Sequence, residues 1–207
     1  MTRGLLIAFE GLDGSGKTTQ LSWLAGALRT AGRTVVTTRE PTEGRYGRRI
    51  RAMAKGGKRP LPEDELSWFL EDRREHVREV IAPALARGEI VLSDRYYLST
   101  VTYQGARGLD WQALLAQCEA EFPIPDLVLL LEIDPSQGLA RVRARGARAE
   151  PAFEETTFLA RVAELYRALS CPYLERIDAR RAPEAVRDAV GAVLRRRLGL
   201  LLPEVPG

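Results

Sequence analysis

Eight consecutive residues carry the clearest chemistry in the chain: Gly11, Leu12, Asp13, Gly14, Ser15, Gly16, Lys17 and Thr18, followed by Thr19. They fit G-x-x-x-x-G-K-[ST], directly after the apolar run Leu5 to Phe9 and directly before a helical pattern. The spacing has a physical reason. Glycines let successive backbone N–H groups turn inward around an anion at a helix N-terminus, where the helix dipole also favours negative charge. A lysine at position 17 then reaches the β and γ phosphates of a nucleoside triphosphate, and the Thr18 hydroxyl is placed for Mg²⁺. A second element, Ile90 to Arg95, is an apolar strand that ends in an acid followed at once by a base. Asp94 is a candidate ligand of Mg²⁺ or its water, and Arg95 a candidate phosphate clamp. Asp94 could instead cap a helix starting near Tyr97. Asp134, followed by Pro135, reads mainly as the cap of the next helix. Phe69 and Arg73 lie i, i+4 and share one helix face, a ring for stacking beside a fork of donors. Taken alone, Phe69 could as well join Leu66 and Leu70 in a core stripe, and Arg73 could be a solvated helix charge.

Composition narrows the functions this chemistry can serve. The 207 residues hold 28 arginines but only 3 lysines, so Lys17 stands out as a lysine where arginine is the habit. There is no asparagine, which excludes a protein-kinase catalytic loop and an N-K-x-D guanine reader. Cys118 and Cys171 have no C-x-x-C spacing, and the single histidine, His76, cannot build a His-rich zinc site. His76 reads as a packed or solvent-facing residue with no assigned chemistry. A pI near 9.1 invites a nucleic-acid reading, but the net charge is only +3 and acids are mixed through the same helices. No apolar run is long enough to span a membrane or form a secretory leader, so the expectation is a soluble, cytoplasmic protein without membrane or nucleic-acid partners.

The elements that must position these residues alternate between apolar runs and amphipathic segments. That is the signature of an α/β fold, a five-stranded parallel sheet covered by helices on both faces in a three-layer P-loop sandwich, as one domain. Expected strands are 5–10, 34–39, 90–94, 127–133 and 174–178. Expected helices are 17–30, 47–54, 63–86, 111–121, 135–144, 154–170 and 184–197. Loops are expected at 55–62 and in the arginine-rich stretch 145–152. Trp23, Trp68 and Trp111 read as helix packing.

In combination, several segments resemble the bacterial thymidylate kinases from about Leu5 to Val193: F-E-G-x-D-G-x-G-K-T-T at Phe9 to Thr19, R-E-P at Arg39 to Pro41, I-R at Ile50-Arg51, F-x-x-x-R at Phe69 to Arg73, D-R-Y at Asp94 to Tyr96, and S-x-x-x-Y-Q-G at Ser99 to Gly105. Phe153-Glu154 and the following Tyr166 also match. The sequence departs from the pattern at Thr42-Glu43-Gly44, at Glu132 where Asp is common, and in the lid, which lacks the usual Asp-Arg pair.

The resemblance implies transfer of the γ-phosphoryl of ATP to dTMP, giving dTDP and ADP with Mg²⁺. It places Phe69 against the base, Arg73 at its carbonyl, Thr100 and Gln104 at its edge, and Tyr103 under the sugar. Asp13 would meet the 3′-hydroxyl, and Arg39, Arg51 and Arg95 would hold the acceptor phosphate, although Arg39 could be a surface arginine. The loop from Asp178 to Pro183, with Arg180, would border the ATP adenine. A short lid at about 143–153 would supply the catalytic arginine from Arg143, Arg145 and Arg148, because the loop carries Gly14 where some relatives carry arginine. A homodimer is implied, with the helix 63–86 as a contributor. A kinase of wider deoxynucleotide or deoxynucleoside range stays open as an alternative. So does, from a different class, a nucleic-acid-dependent P-loop ATPase.

Overall fold

Strand residues buried on both faces of a sheet are mostly apolar, and the three central strands, 5–10, 90–94 and 127–132, are written that way, whereas the edge strands 35–39 and 174–178 carry polar residues. The computed structural model describes residues 3–56, 59–144 and 156–203. Five strands, β1 (Leu5–Glu10), β2 (Val35–Arg39), β3 (Ile90–Asp94), β4 (Leu127–Glu132) and β5 (Leu174–Asp178), form one sheet in the order β2-β3-β1-β4-β5. Every pairing is parallel. Along β1 the side chains alternate between two cores. Leu6 and Ala8 face one with Val91, Val128 and Leu130. Ile7 and Phe9 face the other with Leu92, Leu129 and Leu131.

Helices α1 (Lys17–Thr30) and α9 (Pro183–Leu198) cover the second face, with Trp23 packed against it. Helices α2 (Arg45–Gly56), α3 (Pro62–His76), α4 (Ala82–Ala86), α5 (Tyr97–Ala106), α6 (Trp111–Glu121) and α8 (Thr156–Ala168) cover the first, with Trp68 and Trp111. Helix α7 (Pro135–Ala144) follows β4 and leads out of the described residues. No helix among the described residues is long and apolar enough to cross a membrane.

Two expectations are corrected. The helix expected over 63–86 is not one α-helix, because a π segment at Val77–Ile81 separates α3 from α4. Pro83 has no N–H to give the Glu79 carbonyl, so the α ladder cannot run through this point. Helix α5 was expected only as a helix starting near Tyr97, with no range, and the structure places it there. Eight of its ten residues are buried, including Thr100, Thr102, Tyr103 and Gln104, so it has no solvated face and no amphipathic stripe to read. Asp94 does not cap it. The side chain of Glu10 reaches across from β1 instead, and its Oε1 accepts from Tyr96 N at 2.9 Å and Ser99 N at 3.0 Å.

Register matters most at one edge. Phe9 pairs with Asp94, and Arg39 pairs with Asp94 from the other side. The carboxyl ends of β1, β2 and β3 therefore lie side by side, at the edge where open parallel sheets bind ligands.

Candidate active site

The loop after β1 is shaped by its backbone. Gly14 sits at φ 81° and Gly16 at φ 94°, a region that favours glycine. A Cβ on Gly14 would meet Gly138 O of α7 at 2.2 Å, so the loop touches the α7 backbone directly and an arginine at position 14 has no room. No side chain caps α1, whose first-turn N–H groups remain for an anion. The Lys17 Nζ donates to Gly11 O and Leu12 O, both at 3.0 Å, and lies 3.7 Å from Asp13. Burial and the charge of Arg95 press the Lys17 pKa down to about 8, against the pull of Asp13, Asp94 and Glu10.

Thr18 Oγ1 donates to Asp94 Oδ2 at 2.5 Å, so the hydroxyl and carboxylate expected around Mg²⁺ are adjacent. The described residues contain no cluster of three or more His, Cys, Asp or Glu able to hold a metal by themselves. One carboxylate and one hydroxyl suit an ion whose remaining ligands are phosphate oxygens and water.

Arg95 connects this loop to a second cleft. Its backbone is at φ 72°, unusual for a residue with a side chain, and is held there by Arg95 N donating to Phe9 O and Ser93 Oγ donating to Arg95 O. The guanidinium donates to Asp13 Oδ1 at 2.7 Å and Ser99 Oγ at 2.8 Å, and lies 5.3 Å from the Tyr103 ring centre. Partial burial would raise the Asp13 carboxyl, but Arg95 and Lys17 outweigh it and hold the pKa at about 2.

Behind Arg95 stands Glu10, fully buried, which the sequence reading did not single out. Its Oε2 accepts from Ser99 Oγ and Tyr166 Oη, at 2.5 and 3.0 Å. Burial raises its pKa, against the hydrogen bond from Ser99 and the charge of Arg95. The signal available was a carboxylate ending a fully apolar strand, which must find partners.

The cleft itself is lined by Asp13, Arg39, Glu40, Pro41, Ile50, Arg51, Ala54, Phe69, Arg95, Ser99, Thr100 and Tyr103. Seven residues expected around the acceptor are thus brought together. Arg73 and Gln104 lie behind its wall. Arg73 is 1% exposed; its Nε and Nη2 donate to Glu40 Oε2 at 3.0 and 2.5 Å, and Nη2 also to Thr100 Oγ1 at 2.9 Å. It is not a solvated helix charge. Among the described residues, its Nη1 has no partner. Gln104 Nε2 donates to Glu65 Oε1 at 2.8 Å, and Glu65 in turn accepts from Arg59 and Arg107. At the mouth, Arg39 and Arg51 converge on Glu43, a residue of the divergent Thr42-Glu43-Gly44 segment; the Arg51 contact is 2.6 Å.

On the far side of the phosphate loop a second cleft is lined by Gly14, Ser15, Gly16, Thr19, Gln20, Arg141, Ala179, Arg181 and Pro183. The loop expected to border adenine contributes Ala179, Arg181 and Pro183 to this cleft. Arg180 turns away to pair with Asp178 at 2.7 Å and lines a different cleft. Arg141, which sequence reasoning passed over among so many arginines, ties the two loops together by donating to Ala179 O at 2.9 Å and Gly14 O at 3.5 Å. Arg143 is exposed on α7. Arg145, Arg148 and most of the expected lid lie outside the described residues.

A family model described as thymidylate kinase matches residues 9–190. A thymidylate kinase of Akkermansia muciniphila is 44% identical over 205 residues, covering 99% of this chain and 96% of that protein. One from Xanthomonas campestris pv. campestris is 49% identical over 191 residues, covering 92% and 83%. One from Desulfotalea psychrophila is 44% identical over 176 residues, covering 85% and 87%. The chain belongs to the thymidylate kinase family.

Proposed function

We propose that this thymidylate kinase family member is a nucleoside monophosphate kinase that moves the γ-phosphoryl of ATP to the 5′-phosphate of dTMP, giving dTDP and ADP. The observation that carries the reading of the base is a pair of donors at and directly behind the inner wall of the acceptor cleft. Arg73 Nη1 is unpartnered among the described residues, and Thr100 Oγ1 already accepts from Arg73, so its own proton is left to donate. A thymine carbonyl accepts from such groups, whereas the cytosine amine in its place leaves them unpaired. Phe69 supplies the stacking ring, Tyr103 the floor under the sugar, Asp13 a partner for the 3′-hydroxyl, and Gln104 a second polar group near the base. Arg39, Arg51 and Arg95 hold the acceptor phosphate.

The phosphate of dTMP is already anionic at neutral pH, so the protein positions reactants and neutralises charge with little acid–base work. On the donor side Gly11, Leu12, Asp13, Gly14, Ser15, Gly16, Thr18 and Thr19 contribute the loop around the polyphosphate, and Lys17 its cation. When bound, Mg²⁺ neutralises charge on the β and γ phosphates; Thr18 and Asp94 are the residues that hold it. Arg141 and Arg181 fit the base and ribose side of ATP better than Arg180, whose fork is occupied by Asp178. The lid at about 143–153 supplies the arginine that meets the transferring phosphoryl, from Arg143, Arg145 or Arg148, since position 14 cannot. The active form is a homodimer.

Incubating the protein and ATP with each common nucleoside monophosphate, with and without DNA, tests this. dTMP is expected to be the preferred acceptor and DNA to have no effect. Equal turnover of dTMP and dCMP would replace the reading with a broad-range kinase, and DNA-stimulated ATP hydrolysis with an ATPase.

A further inference from the structure

His76 is 3% exposed and belongs to none of the surfaces that line the acceptor or donor clefts. Yet both ring nitrogens are engaged. Nδ1 is 2.9 Å from Glu40 Oε1, and Nε2 is 2.6 Å from Thr38 Oγ1. Glu40 is the same residue whose other oxygen, Oε2, takes both Nε and Nη2 of Arg73. Burial works against the Glu40 carboxylate, but Arg73 and then His76 outweigh it and keep its pKa below the usual value. Facing an ionised carboxylate, Nδ1 must be the donor, and in the neutral ring Nε2 accepts the Thr38 hydroxyl proton. The chain Thr38–His76–Glu40–Arg73 thus runs from strand β2 to the residues at and directly behind the inner wall of the acceptor cleft, where Glu40 lines it.

The geometry has a consequence for Arg73. A carboxylate and a guanidinium left to themselves form a two-oxygen, two-nitrogen fork. Here His76 donates to Oε1 while Arg73 takes Oε2 with both Nε and Nη2, so the His76 bond fixes the rotation of the carboxylate to which the guanidinium is tied. The Tyr96 and Phe122 ring centres, 5.3 and 5.5 Å from the guanidinium carbon, restrict it further. We propose that His76, acting through Glu40, is a positioning residue that fixes the Arg73 guanidinium with Nη1 free for the base carbonyl, and so sets the preference for thymine over cytosine. This rests on the proposal that Arg73 reads the base.

Three substitutions at one position test it. His76→Asn keeps an N–H near the Nδ1 position and so retains the donor to Glu40. His76→Gln keeps a polar group near the Nε2 position but gives Glu40 none at the Nδ1 position; His76→Ala removes both. The ratio of kcat/KM for dTMP to that for dCMP is measured with the KM for ATP and the Tm. The expected result is a fall in the ratio of about 5- to 10-fold for Gln and Ala, arising mainly in the KM for dTMP, with the ATP value changed by less than about 2-fold and Asn restoring most of the preference. An unchanged ratio in the Gln and Ala variants, with or without a lower Tm, makes His76 merely structural and overturns the proposal. So does an Asn variant no better than Ala. Arg73→Ala, run in parallel, separates the two levels: if it leaves the ratio unchanged, the base reading itself falls, and if it abolishes the preference while the His76 variants do not, only the positioning role falls.

Discussion

The two sides of the active site are built from different materials. The donor side is backbone: a glycine loop at positive φ, uncapped helix N–H groups and a loop packed directly on α7. Its cations are few or lie at the edge, with Arg143 exposed and Arg180 paired to its own neighbour. The acceptor side is made of side chains, each held by others: Arg73 by Glu40 and Thr100, Arg95 by Asp13 and Ser99, Ser99 by Glu10 and Tyr166. The difference follows what each side must recognise. A polyphosphate carries the same oxygens in every nucleotide, and a cradle of N–H groups suffices. One pyrimidine is told from another by a single exchange of carbonyl for amine, and this requires donors that cannot turn to suit the wrong partner.

Each side can be broken separately. The largest effect is expected at Lys17, whose ammonium lies inside the donor loop against its carbonyls. Lys17→Ala should lower kcat by about 10³-fold, and Lys17→Arg nearly as much, because a planar guanidinium does not fit where a compact ammonium lies against Gly11 O and Leu12 O. The same residue strains the ligand-free fold. Its pKa is lowered to about 8 from 10.5, so between these values the unfolded chain binds more protons and stability rises with pH. Lys17→Met should therefore raise the Tm at pH 7 in the absence of nucleotide, by an amount that shrinks as pH climbs from 8 towards 10.5; a lower Tm at pH 7 would mean that the ammonium is not under this stress.

Replacing Arg143, Arg145 and Arg148 singly by Ala should lower turnover by about 10²-fold or more in at least one variant, with dTMP binding intact. Near-normal turnover in the triple variant would transfer the role to Arg95. Smaller, and of opposite sign, is the change expected at Glu43, whose carboxylate engages Arg39 and Arg51 at the acceptor mouth. Glu43→Gln should lower the KM for dTMP a few-fold at low salt and less at high salt. A raised KM would show that Glu43 orders the clamp instead of competing with the phosphate. Arg180→Ala should change the KM for ATP least, by less than about 2-fold, and Arg141→Ala more, since Arg141 joins the two loops of the donor cleft.

The same contrast explains what could be read from the sequence. The phosphate loop was legible because a backbone cradle is encoded by consecutive glycines, one lysine and the flanking strand and helix. The central strands were legible to within a residue or so because burial on both faces makes them nearly continuous apolar runs, and the edge strands because β-branched or apolar residues are bounded there by turn residues. The acceptor side was legible in the residues that line its cleft, Asp13, Arg39, Arg51, Phe69, Arg95, Thr100 and Tyr103. Its support was not: Glu10 meets Ser99 and Tyr166 from 89 and 156 residues away, and His76 meets Glu40 across 36. Such partners share no local pattern, so His76 read as a packed or solvent-facing residue without chemistry and Glu40 only as the middle of R-E-P. Helix α5, which carries much of this side, was read only as a start near Tyr97 and given no range, for the related reason that burial all round erases amphipathic periodicity.

The central claim is that the acceptor cleft distinguishes its base by donors already in place before ATP arrives. Calorimetric titration of the nucleotide-free protein with dTMP and with dCMP, in the absence of ATP and Mg²⁺, tests this most directly. The expected result is dTMP binding at least about 10-fold tighter than dCMP, with the difference lost in Arg73→Ala. Equal affinities in the unmodified protein would contradict it, because discrimination would then have to be assembled only when the donor side is filled.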